Sequence, residues 1–149
     1  MEAEIYPEPR VSTFIVHNFI PVRLHIKKHP EAMERFGVNW TPTILIVDSD
    51  RKEQHRIEGF LPADEFLGQL QLGLGHALFA RQKFAEAEQQ FRDVSENLTE
   101  TDAAAEAMYW AGVSRYKATN DASALKATAQ AFKDRYQNSI WAKKASIWS

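Results

Sequence analysis

The sequence predicts a two-part chain: an α/β unit over residues 1–64, with a βαββ core and flanking helices, followed by an all-α array of helical hairpins over residues 65–149. Three observations predict it. Short apolar runs bounded by proline, glycine and aspartate recur as far as Gly59, as strands do. From Pro62 onward the apolar period becomes three and four, the spacing of a helix face. Within that second half small residues recur 37 positions apart, Gly75 with Gly112 and Ala87 with Ala124. A chain of 149 residues buries enough surface for one domain or two small units.

In the first unit, Tyr6-Pro7-Glu8-Pro9 is a breaker cluster. Val11, Phe14, Ile15 and Asn18 then share one side of a short helix, with Phe14 and Ile15 facing the core. From Phe19 to Ile26 the pattern alternates, Val22, Leu24 and Ile26 on one face and Arg23 and His25 on the other, which predicts a half-buried strand. Pro30 to Phe36 reads as a short helix opened by proline and closed by Gly37. Thr43 to Val47 is almost wholly apolar, the pattern of a strand buried on both faces. Asp48-Ser49-Asp50 makes a turn, and Glu53 to Phe60 returns as the second strand of a hairpin.

Pro62, Asp64 and Glu65 suit the first turn of a helix carrying Phe66, Leu67, Leu70, Leu74, Leu78 and Phe79. No glycine-rich or serine-rich linker precedes it, so this helix is expected to close one unit and open the next. Gln71, Leu74, Gly75 and Leu78, continued by Phe84, Ala87 and Phe91, have the spacing of a tetratricopeptide repeat, which the segment resembles. Gly75 and Ala87 would let two helices approach while Phe91 fills the space beneath. Ala111, Gly112 and Ala124 give a weaker second copy, with the polar stretch Glu96 to Asp102 between. Ser139 is placed to cap a last helix bearing Ile140, Trp141, Ala145 and Trp148, which would cover the open end. Tyr109, Trp110, Tyr116, Phe132, Tyr136 and Trp141 could line a peptide groove, although their helical spacing equally suits a core.

The run Phe36-Gly37-Val38-Asn39-Trp40-Thr41-Pro42-Thr43, entering the strand Ile44–Val47 and followed by Arg56-Ile57-Glu58-Gly59-Phe60, resembles the later part of a bacterial thioredoxin-like domain. The resemblance implies a cis Thr41–Pro42 bond that exposes the Thr41 backbone to an extended partner segment. It makes Trp40, Thr41, Pro42 and Thr43 the substrate-binding or partner-binding loop. It also implies a Cys-x-x-Cys and a central strand before Met1, and the chain has no cysteine. Without that strand, the strands matching residues 20–27 and 43–48 must close up, pair with another molecule or leave apolar edges exposed. Residues 1–62 are therefore expected to be poorly stable alone, and the helical half better ordered.

Composition narrows the function. The net charge is −2, with 8 basic and 9 acidic residues in 1–62, so no basic face is offered to nucleic acid or an anionic membrane. No apolar run reaches the ~18–20 residues that cross a bilayer, and the acidic start Met1-Glu2-Ala3-Glu4 is unlike a secretory signal, so a cytoplasmic chain is expected. Without cysteine there is no disulfide and no thiolate chemistry. His25 and His29 are separated from a common helical face by Pro30, and His55 and His76 lack any metal-binding motif, so neither metal nor cofactor is expected. The reading is a redox-inactive protein-interaction module with no catalytic residue and an unidentified protein partner. Two alternatives stand beside it: a thiol–disulfide oxidoreductase whose Cys-x-x-Cys segment is missing from this chain, and a structural, strand-exchanged homodimer.

Overall fold

A computed structural model describes residues 7–149. The expected breaker at Tyr6 lies partly outside the described residues. The elements run α1 (Pro9–Asn18), α2 (Pro30–Arg35), β1 (Thr43–Val47), β2 (Glu53–Glu58), α3 (Ala63–Ala80), α4 (Phe84–Asn97), α5 (Ala103–Thr119), α6 (Ser123–Asp134) and α7 (Ile140–Ala145), with a 3-10 turn over Ser146–Trp148.

β1 and β2 form an antiparallel pair, Thr43 opposite Glu58 and Leu45 opposite Arg56, with a register shift after Ile46. Asp48 holds the turn: its Oδ1 accepts the N–H groups of Asp50 and Lys52, each at 2.9 Å. Ile44, Ile46 and Ile57 join Val11, Phe66, Leu67 and Leu70 in the first core, which α1 closes with Phe14 and Ile15. The expectation that β1 is buried on both faces is corrected. Ile46 is buried, whereas Val47 is exposed, because helices cover only one face of the pair.

The expected strand over Phe19 to Ile26 is also corrected. Among the described residues the sheet has two strands, and residues 19–25 form no regular element. Alternation gave those residues a strand's two faces, but a ladder needs a neighbour, and none lies alongside. Within one chain the segment does not close up against β1: Ile20 is 93 % exposed and Val22 77 % exposed. The βαββ core is accordingly a helical start followed by one hairpin.

α3 belongs to both halves. It touches α1, β1 and β2 on one side and α4 and α5 on the other. Its two apolar faces explain a residue that a one-sided reading leaves out: Leu72 is fully buried in the second core with Ala87, Phe91, Val94 and Ala107. Beyond α3 each helix packs on the next, and α4 against α5 is the most extensive contact. Ala103 and Ala107 are buried there, so the two backbones come close.

The small-residue spacing has a geometric counterpart. A Cβ added at Gly75 would stand 2.5–2.8 Å from three atoms of the Phe91 ring. A Cβ added at Gly112 would collide with Thr128 in the same way. In each case the glycine and the residue above it are 16 positions apart, and the two contacts are 37 positions apart. Ser139 Oγ accepts the Ala142 N–H at 3.1 Å and starts α7. Trp141, Ala145 and Trp148 then cover Phe132 and Tyr109 at the end of the array. Among the described residues no helix is long and apolar enough to cross a membrane.

Candidate interaction surface

The loop before β1 is built from both sides. α2 ends at Gly37, which takes φ +60°, the left-handed conformation that favours glycine. The Val38 N–H then reaches back to the Met33 carbonyl at 2.8 Å and the Gly37 N–H to the Glu34 carbonyl at 3.2 Å, which turns the chain toward Trp40. Arg56 on β2 locks this turn. Its guanidinium donates to the carbonyls of Phe36 and Gly37, and Glu53 and Glu58 hold it at 2.7 and 3.2 Å. Those hydrogen bonds and charges raise the Arg56 pKa further, and the same guanidinium keeps the Glu53 carboxyl below its ordinary value. Arg56, which opens the quoted Arg56–Phe60 run, is thus a positioning residue whose role the sequence did not disclose, since its carbonyl partners lie 19 and 20 residues away.

The Thr41–Pro42 peptide bond is cis. Thr43 Oγ1 donates to the Trp40 carbonyl, and the Gly59 N–H donates to the Pro42 carbonyl at 2.8 Å. Trp40, Thr41 and Pro42 are exposed and Thr43 is half-buried, so the four residues form one continuous outer surface. Trp40 is 65 % exposed, which rules out a core role for its indole. Beside it lies a cleft of about 270 Å³ lined by Ile26, Met33, Val38, Asn39, Trp40 and Thr41.

The hydrogen-bond pattern tells which β1 groups are available. Antiparallel partners alternate between hydrogen-bonded and non-bonded pairs. Because Pro42 accepts from Gly59, Ile44 takes the next bonded position, and Thr43 and Leu45 turn their N–H and C=O groups away from β2. Among the described elements β1 touches only β2 and α3, so that outer edge is open.

The helical candidates have packing roles. Ala87 and Phe91 are fully buried, Gly75, Gly112 and Ala124 are buried, and Leu74, Leu78 and Phe84 are half-buried. The aromatic residues proposed for a groove largely pack on one another. Tyr109 stacks on Trp148 at 4.9 Å and meets Trp141 at 5.3 Å, Trp110 stands against Phe79 at 5.4 Å, and Phe132 is buried. The Tyr136 hydroxyl donates to the Thr99 carbonyl at 2.8 Å. A second, wider groove of about 500 Å³ runs between α1 and α3, over Phe14, His17, Leu67 and Gln71.

Where β2 crosses α3, a polar cluster escaped the sequence reading. A His55 ring nitrogen meets Gln69 Oε1 at 2.8 Å, a His76 ring nitrogen meets Glu106 at 2.9 Å, and the two rings stack at 5.9 Å. Burial pushes the His55 pKa below its ordinary value; Gln69, Glu106 and Glu53 oppose that shift and His76 adds to it. The folded state therefore prefers neutral His55. Below the unfolded-state value of about 6.5 the unfolded chain binds more protons, so stability falls with pH through the interval down to the folded-state value. Chemical denaturation at a series of pH values should show this loss, and His55→Gln should flatten that part of the curve. Among the described residues no three histidine, aspartate or glutamate side chains come together as a metal site.

Comparison with known proteins agrees with this geometry at the N-terminal end. The family model of a thioredoxin-like domain matches residues 1–73, which takes in the loop, the hairpin and the first half of α3. That part of the chain is thioredoxin-like, and it contains no cysteine. The searches of curated proteins and of solved structures gave no match.

Proposed function

We propose that this chain is a cytoplasmic, redox-inactive protein-interaction module. A thioredoxin-like unit offers the loop Trp40–Thr43 and the open edge of β1 to an extended segment of another protein, and two tetratricopeptide-like hairpins carry that unit. The observation that supports it most is an exposed indole beside strand groups that have no hydrogen-bond partner among the described residues. An extended chain laid on that edge gains main-chain hydrogen bonds at Thr43 and Leu45 and apolar contact with Trp40. The repeated glycine contacts, Gly75 on Phe91 and Gly112 on Thr128, support the tetratricopeptide-like reading of the second half. Dithiol chemistry has no sulfur to run on in this chain.

The test uses a fluorescent peptide of alternating valine and threonine. Trp40→Ala should weaken its binding by about tenfold, equivalent to ~1.4 kcal/mol, without altering the melting temperature. Equal affinity in the variant would move the site away from the loop.

A further inference from the structure

We infer that the extended segment held by this surface is residues Ile20–Ile26 of a second copy of the same chain, exchanged reciprocally. The inference rests on the interaction reading above and names its partner. Each chain carries both halves of an unmade strand pair. One half is the open edge of β1 at Thr43 and Leu45. The other is a seven-residue stretch with Ile20, Val22, Leu24 and Ile26 at alternating positions, all exposed, and without secondary structure.

Within one chain these halves do not pair, although Ile26 at the end of the stretch lines a cleft with Trp40 and Thr41, just ahead of β1. A two-fold axis would set the segment of each copy against the β1 edge of the other, in a closed, self-complementary interface. Exposed large apolar side chains are concentrated here. Taking for each residue ~150 Å², the low end of an aromatic side chain's area, the exposed fractions of Ile20, Val22, Leu24, Ile26, Trp40 and Val47 amount to roughly 550 Å² per copy. A standard interface takes about 800 Å² from each partner, so this patch supplies most of one. The net charge of −2 opposes association of like copies only weakly.

Sedimentation equilibrium of the full chain tests it, with the Val22→Lys/Leu24→Lys variant alongside. The native chain should sediment at twice its 17.1 kDa mass. The variant should sediment as one chain, its self-association weakened by about a hundredfold or more. Val22 and Leu24 are both exposed, so the variant should keep the native helical circular dichroism. A synthetic peptide of residues 19–27 should dissociate the native dimer. A monomer at 100-micromolar order concentrations would overturn the inference, and if it still bound the valine–threonine peptide through Trp40, the interaction reading would stand without it. A dimer that persists in the lysine variant would equally overturn it, by placing the contact elsewhere.

Discussion

Replacing Gly75 with leucine is expected to lower stability by about 3 kcal/mol, the upper end for overpacking a filled core. In a chain of this size that corresponds to a fall of about 6–12 °C in melting temperature. The opposing effect is known: leucine is a better helix former than glycine by up to ~1 kcal/mol, and packing must outweigh it. It does so because the Phe91 ring fills the space above Gly75, and Phe91 is itself fully buried. Phe91→Ala alone should cost ~3–5 kcal/mol by leaving a cavity. In the double variant the leucine enters that cavity, so the combined loss should be smaller than the sum of the two. Additive losses, or an unchanged melting temperature for Gly75→Leu, would contradict the packing that defines the hairpin.

The second large effect is expected at Gly73, two residues before Gly75 and on the opposite side of α3. A Cβ there would collide with the Ile46 side chain and stand 3.0 Å from His55 Cβ, so Gly73 is where the β hairpin rests on α3. Gly73→Leu should push the hairpin away from the helix at a cost of about 2–3 kcal/mol. The damage should stay in the first unit, because the α4 side of α3 is untouched. Helical circular dichroism should change little, while binding of the valine–threonine peptide should be lost with the positioning of Trp40–Thr43. Gly73→Leu combined with Ile46→Ala should recover part of it. Retained binding in Gly73→Leu alone would show that the surface does not depend on its seat.

That the second half is helical was legible in the sequence, and the reason is local. Gly75, Ala87, Gly112 and Ala124 are small because backbones pass close to them, and each contact joins neighbouring helices. The loop was legible too, since Gly37 and Pro42 punctuate the chain wherever they occur. Phe19 to Ile26 shows what alternation leaves out. It assigns side chains to faces but says nothing of whether another strand lies alongside, and among the described residues none does. The stretch Thr43–Val47 was misjudged for a related reason, since an apolar run does not disclose that helices cover one face only. The Arg56 contacts with Phe36 and Gly37, like those of His55 with Gln69 and His76 with Glu106, were invisible because they join residues from separate elements, and charged or imidazole side chains at such spacings have no signature of their own. Leu72 was hidden by the opposite difficulty: α3 is apolar on two sides, and a single-face reading selects one.

Amide hydrogen exchange, residue by residue and with and without the valine–threonine peptide, tests the central claim most directly. The account predicts slowed exchange at the outward-facing amides of Thr43 and Leu45 when the peptide is bound, with α5 and α6 unchanged. Protection confined to the helical half, with Thr43 and Leu45 exchanging as before, would contradict it.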